Sequence, residues 1–352
     1  MADTAGRRLA EHTTLRLGGP ARSWVVATTE TELIEAVSAA DAAGERVLVL
    51  GGGSNVVVAD AGFPGTVVAV ATRGIHSDAE PSPQGGSDPT CGGAMVTVAA
   101  GEPWDEVVAT AVEREWIGVE ALSGIPGSTG ATPIQNVGAY GQDVSQTIAQ
   151  VRVWDRVLRG VRTFAAAECG FGYRHSRFKT DPTRHVVLSV TFQLRIGTLS
   201  APIAYAELAR ALGVEVGARA PLGEVRAAVL GLRRAKGMVL DAADHDTWSA
   251  GSFFTNPVVP ADRIPDGAPA WPQGDGTVKT SAAWLIEHAG YGKGYPGHGP
   301  VSLSTKHTLA LTNRGGATTA DLLSLAREIR AGVAARFGIE LVNEPVTVGE
   351  AL

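Results

Sequence analysis

Five stretches hold residues that could do chemistry. Gly124–Gly141 reads GIPGSTGATPIQNVGAYG. Its glycines permit positive φ and close backbone approach, while Pro126 and Pro133 hold φ near about −65°. A flexible linker would lack such pinned residues. The stretch predicts a fixed loop whose N–H groups face something anionic, although a turn-rich structural connection would read similarly. Gly51–Asn55, GGGSN, follows the apolar run VLVL and is a second candidate nest of backbone amides. It is not a P-loop, because no GK[ST] follows, and it is not GxGxxG. Alone it could be a strained turn at a strand end. Two such loops together suit a dinucleotide whose pyrophosphate lies between two nests.

Gly170–Lys179, GFGYRHSRFK, sets Arg174 beside Tyr173 after two glycines. The planar fork of an arginine binds both oxygens of a carboxylate, so a substrate anion fits Arg174. Arg177 and Lys179 read as surface charge. Ala250–Pro257, AGSFFTNP, places Ser252 and Asn256 around an aromatic pair. It lacks G-x-S-x-G, so Ser252 is no nucleophile elbow; locally it reads as a capping serine beside core aromatics. Glu344 in LVNEPV reads locally as a solvated glutamate. His288, His298 and His307 show no metal spacing such as H-E-x-x-H, and Cys91 and Cys169 match none, so no metal is expected.

These residues need elements to position them. Leu15–Ala21, Ser23–Ala27, Val47–Leu50, Val56–Ala59 and Thr66–Val70 read as strands. Thr29–Ala43 reads as a helix, with Leu33, Ile34, Val37 and Ala40 at helical spacing, Thr29 or Thr31 as cap and Gly44 as stop. After a Pro/Gly/Ser-rich loop, Asp78–Gly93, come a strand (Met95–Ala100) and an amphipathic helix (Trp104–Glu115). Val151–Trp154 and Arg162–Ala165 form a predicted hairpin, and His185–Arg195 a long strand. Ala204–Leu212, Leu222–Arg234, Ser281–Ala289 and Thr319–Phe337 read as helices, the last capped by Thr319 and ended by Gly338. Trp271–Lys279 reads as a Pro/Gly loop, and Thr308–Thr312 as a strand.

The chain has 352 residues, 44% of them hydrophobic and 19% charged. It can bury a sizeable core and is not disordered. With a net charge of −6 and no basic run, nucleic acid is an unexpected partner. No secretory signal or transmembrane segment is read, which makes the cytoplasm the expected location.

GGGSN, SGIPGSTGATPIQNVGAYG, GFGYRHSRFK, AGSFFTNP, KTSAAWLIEHAG and LVNEPVTVG occur in one order. In this the chain resembles the UDP-N-acetylenolpyruvoylglucosamine reductase family of peptidoglycan synthesis, from about Leu15 to Gly349. PIAYAEL, with Tyr205, resembles the loop that marks the type I form. The resemblance implies an α+β fold: a two-lobed FAD-binding domain of the vanillyl-alcohol-oxidase type and an α/β substrate-binding domain. The implied division is 1–72 with 338–352, then 73–217, then 218–337. It also implies non-covalent FAD, NADPH as hydride donor, UDP-N-acetylglucosamine enolpyruvate as substrate, and a monomer.

Carried over by position, Arg174 is the catalytic arginine, Ser252 the proton donor and Glu344 the catalytic glutamate. FAD contacts fall on Gly51, Gly52, Gly53, Ser54 and Asn55. They continue over Pro126, Gly127, Ser128, Gly130, Ala131, Pro133, Gln135, Asn136, Gly138, Ala139 and Tyr140, with Arg233. UDP-sugar contacts fall on Tyr173, Tyr205, Lys236, Asn256 and His307. On this reading Gly130→Val empties the flavin site without unfolding the protein. Two alternatives stay open. One is an alcohol oxidase of the same fold with covalently tethered flavin; the other is a non-catalytic UDP-sugar-binding protein. An absorbance spectrum before and after NADPH separates them.

Overall fold

The computed structural model describes residues 6–78, 93–349 and 352. The expected loop at 78–93 lies, its two end residues apart, outside the described residues. The chain is α+β and falls into two compact units. The first holds Ser23–Gly52 and Gly65–Arg234; the second holds Gly53–Pro64 and Ala235–Leu352, together with residues 6–22.

In the first unit, Val47–Leu50 runs parallel to Phe63–Val70, with Ala21–Ala27 on the other side of the latter. Glu30–Ala42 is helical because Thr29 accepts from the Glu32 amide and Glu32 reaches back to the Thr29 amide, a reciprocal capping box. Leu33 and Val37 bury that helix against Ala27, Val68 and Leu188. The larger sheet runs Gly160–Ala165, Ile148–Asp155, His185–Ile196, Gly93–Ala99, Ile75–Ser77, all antiparallel. Trp104–Glu113 packs on it, with Trp104 tilted 5.7 Å from Phe192. The helix Leu222–Ala235 is tied to it by a bidentate pair, Arg226 to Asp105, at 2.7 and 2.9 Å.

Asp155 anchors the predicted hairpin. Its carboxylate is fully buried and accepts from Arg184 Nη2 at 2.9 Å and from the Val157 and Leu158 amides at 3.0 Å. Arg184's hydrogen bonds hold the carboxyl well below the usual carboxylate range, against the opposing effect of burial. A carboxyl whose pKa is lowered on folding adds stability above its unfolded value of about 3.9, and loses it as pH falls below that. Asp155→Asn is therefore expected to cost about 3 kcal/mol at neutral pH, the low end for breaking a buried pair. Urea midpoints at several pH values check this. The gap between mutant and wild type should narrow below about pH 4; a constant gap would assign the loss to packing.

In the second unit, the helix Thr319–Phe337 buries Leu322, Leu325, Ala326, Ile329 and Val333 against Phe253, Phe254, Leu285 and Ile286. Its cap is Thr318, not Thr319: Asp321 lies three residues on and completes a capping box. The Thr319 hydroxyl donates to Val58 O at 2.6 Å instead. Val346–Val348 pairs in parallel with Val56–Val58. Three further corrections arise. Leu15 and Leu17 are buried but irregular, with Arg16 between them exposed, and the strand begins at Ala21. The strand expected at Thr308 is Leu311–Asn313, paired with Val301–Leu303. Trp271–Lys279 is not a loop: Ala270–Pro272 and Thr277–Thr280 are strands of a three-stranded sheet with Val258–Pro260.

Candidate active site

In the first unit the two glycine-rich loops meet. A Cβ on Gly51 would stand 2.3 Å from Ser128 Oγ, and one on Gly52 would stand 2.7 Å from Gly127 Cα. Only backbone fits there. Gly127 has φ +120, a conformation that favours glycine, and its carbonyl accepts from Trp104 N at 3.0 Å. The amides of Gly52 and Gly127 donate to no acceptor among the described residues. Two apposed glycine turns with undonated amides have the donor chemistry of a diphosphate cradle. Pro126 and Ser128 flank this contact in the chain.

The next turn is differently employed. The amides of Gly130 and Ala131 donate to Ala100 O at 2.8 Å and Ser128 O at 3.0 Å. A Cβ at Gly130 would lie 2.6 Å from Ala100 Cβ. Gly130→Val therefore strikes the core and is no clean test of cofactor binding, a correction to the expectation above. Pro133 accepts from the Asn136 amide at the long limit of 3.5 Å. Asn136 is buried with φ +47; its Nδ2 donates to Gly172 O at 3.1 Å and its Oδ1 accepts from Ser145 N at 3.1 Å. Gly138 and Ala139 pair with Gln142 and Asp143. Tyr140, φ +49, stands edge-on to Tyr205 with ring centroids 5.6 Å apart. Arg233 is 8% exposed, and burial lowers its guanidinium pKa to about 10.

Arg174 sits over the same loop. Its Nη2 donates to Gly138 O at 3.1 Å, and its Nη1 lies 3.5 Å from Asn136 O. The Tyr173 ring is 5.8 Å away and about half exposed, so a cation–π contact flanks the fork. Lys179, read from sequence as surface charge, is partly buried; its ammonium donates to Arg174 O at 3.1 Å and Gln135 Oε1 at 3.3 Å. Only the tertiary fold reveals that placement, because Lys179 and Gln135 are far apart in the chain.

In the second unit, Phe253 donates to Leu309 O at 2.7 Å and accepts from Glu344 N at 2.8 Å. Thr255 N donates to Val342 O at 3.0 Å, and Phe254 bridges Asn343 in antiparallel sense. The segment holding Ser252 thus lies along the one holding Glu344. Pro345 is buried, and its carbonyl accepts from Asn343 Nδ2 at 2.8 Å. Asn256 Oδ1 accepts from Ala282 N at 3.0 Å in the first turn of helix Ala282–His288, so this side chain also holds the helix start. The His307 amide donates to Ser304 Oγ at 3.2 Å. Lys236 follows directly on the helix Leu222–Ala235 and is partly buried. Gly53, φ +61, packs on the His12 carbonyl, where a Cβ would come to 1.9 Å. Ser54 and Asn55 complete that turn, and Asn55 O accepts from Val346 N at 3.0 Å. No group of His, Cys, Asp and Glu among the described residues is arranged to hold a metal ion.

Comparison with known proteins adds to this geometry. A family model described as "FAD binding domain" matches residues 21–158, and one described as "UDP-N-acetylenolpyruvoylglucosamine reductase, C-terminal domain" matches residues 243–348. The chain is 59% identical over 343 residues to the UDP-N-acetylenolpyruvoylglucosamine reductase of Cutibacterium acnes, covering 97% of this chain and 89% of that one. It is 58% identical to the enzyme of that name in Thermobifida fusca, covering 98% and 97%. Among solved structures it is similar to that of UDP-N-acetylenolpyruvylglucosamine reductase (MurB) from Thermus caldophilus. There the TM-score is 0.66 over 99% of this chain and 100% of that chain, at 24% identity, a likeness of fold.

Proposed function

The chain belongs to the UDP-N-acetylenolpyruvoylglucosamine reductase family, and from that premise we propose that it reduces UDP-N-acetylglucosamine enolpyruvate to UDP-N-acetylmuramate with NADPH as hydride donor. Membership makes it a flavin oxidoreductase of peptidoglycan synthesis with an FAD-binding domain, as the sequence led us to expect. The observation that carries the reading is the apposition of Gly51–Gly52 with Gly127–Ser128. It offers backbone amides to a diphosphate where no side chain fits. Bound FAD supplies the hydride chemistry that no side chain offers.

The residues of the chain do the rest. An enol ether is electron-rich, and its carboxylate makes it a poorer acceptor. Arg174 takes the carboxylate on its fork and favours the charge that develops there as the β-carbon is reduced. Glu344 is the proposed catalytic glutamate of the same reduction. Ser252 delivers a proton to the α-carbon, a task for a hydroxyl only in a site that excludes water. The buried pair Phe253–Phe254 supports that exclusion. Tyr173, Tyr205, Lys236, Asn256 and His307 are proposed contacts of the UDP-sugar. The division into 1–72 with 338–352, 73–217 and 218–337 is kept as the functional one. A cytoplasmic monomer completes the proposal; no described helix is long and apolar enough to cross a membrane.

The test is absorbance of the pure protein. Bleaching of an oxidised-flavin spectrum by NADPH, followed by recovery on adding the UDP-sugar without oxygen, is expected. A colourless protein, or one that keeps its colour after denaturation, would count against it. Gly52→Ala tests the cradle directly. Its Cβ must push the Gly127 backbone away, so flavin affinity should fall at least about tenfold, or ~1.4 kcal/mol. Flavin retained per protein after gel filtration checks this; retention equal to wild type would remove the loop contact from the site.

A further inference from the structure

We propose that Lys179 is a positioning residue that holds Arg174 in its strained backbone conformation, an inference that rests on the proposed role of Arg174. Gly172 and His175 exchange both backbone hydrogen bonds, at 3.0 and 3.2 Å, which closes a tight turn with Tyr173 and Arg174 at its tip. Arg174 has φ +51. Positive φ at the third residue of a turn is the type II position, where glycine or asparagine is the usual occupant. An arginine there is strained and persists only where its surroundings over-determine it.

The surroundings are specific. The Lys179 ammonium donates to the carbonyl of Arg174 itself at 3.1 Å and to Gln135 Oε1 at 3.3 Å. Ser176 Oγ donates to Ile134 O at 2.7 Å, and Asn136 Nδ2 to Gly172 O at 3.1 Å. Three side chains thus fasten the turn to Ile134–Asn136, and Lys179 is the one that grips the strained residue. Its cationic donor strengthens that grip, because charge-assisted hydrogen bonds are roughly twice as strong as neutral ones. The Arg174 fork then reaches Gly138 O and Asn136 O from a fixed origin. Without Lys179 the turn can relax, and the fork shifts by a distance to which catalysis is sensitive.

Lys179→Met removes both bonds and nearly keeps the length of the side chain. Oxidation of the NADPH-reduced enzyme by the UDP-sugar should slow about 10- to 100-fold. Flavin content and the rate of reduction by NADPH should not change. Lys179→Arg should recover part of the loss, because it keeps charge and donors. In an Arg174→Ala background, Lys179→Met should add less than about twofold, since a residue that acts through another has nothing left to act on. Multiplying losses, or equal slowing of both half-reactions, would overturn the proposal. Should Lys179→Met fail to fold, Lys179→Gln carries the same cycle. Normal turnover in Arg174→Ala would instead sink the role of Arg174. A slow Arg174→Ala beside a normal Lys179→Met would sink Lys179 alone.

Discussion

Arg174→Lys is expected to lower turnover of the enolpyruvyl substrate by about 10²- to 10³-fold, the usual loss for one preorganised donor, while NADPH still bleaches the flavin. The substitution keeps the charge, so the loss must come from shape. A guanidinium has five donors in one plane; here one Nη faces Gly138 O and the other lies toward Asn136 O. It can keep a carbonyl and still offer a carboxylate the rest of its fork. An ammonium has three donors on one atom and a flexible stem. It must choose between the loop carbonyl and the substrate, and either choice misplaces the charge. The effect should fall mainly on kcat, because the donor matters most as charge develops. Stopped-flow of both half-reactions checks this. Near-normal oxidation by substrate would take Arg174 out of the site, and slowed bleaching would make it a cofactor residue.

Much of the scaffold was legible because local signals agreed with the fold. The helix at Glu30 carries its own capping box, and the strand of VLVL runs straight into glycines. Where local signals compete, sequence alone misplaces an element. Thr318 and Thr319 are of the same type, one that often caps helices, but only Thr318 has an aspartate three residues on, and it is the cap. The strands around Gln273–Gly276 were hidden by prolines, which usually argue against a strand. Pro260 and Pro272 lie on the two edge strands of that sheet, where a missing N–H breaks no ladder. The site divides along the same line. Glycine loops announce themselves, but whether an amide is offered or already donated depends on what packs beside it. Gly127 and Gly130 look alike in sequence, yet the Gly130 amide is bound to Ala100. Lys179 gave only the signal of a surface charge: its Gln135 acceptor is set by tertiary contact, and its Arg174 acceptor, five residues back, comes within reach only because the chain turns at Gly172–His175.

Ser252→Ala is expected to separate the two half-reactions most sharply. The Ser252 hydroxyl has no hydrogen-bond partner among the described residues, so its removal breaks no bond of the fold. Its neighbour Phe253 is fully buried and bonded on both sides, to Leu309 and to Glu344, and keeps the backbone in place. Folding, flavin content and UDP-sugar binding should therefore survive. Flavin reduction by NADPH delivers no proton to the sugar and should be nearly unchanged. Oxidation by the enolpyruvyl substrate should slow at least about 10²-fold, the low end for a lost general acid. Ser252→Cys should restore part of that rate, because a thiol is more acidic than a hydroxyl. The decisive measurement is anaerobic stopped-flow of each half-reaction in the alanine variant. Equal slowing of both steps would make Ser252 structural, and unchanged rates in both would assign the proton to another residue or to water.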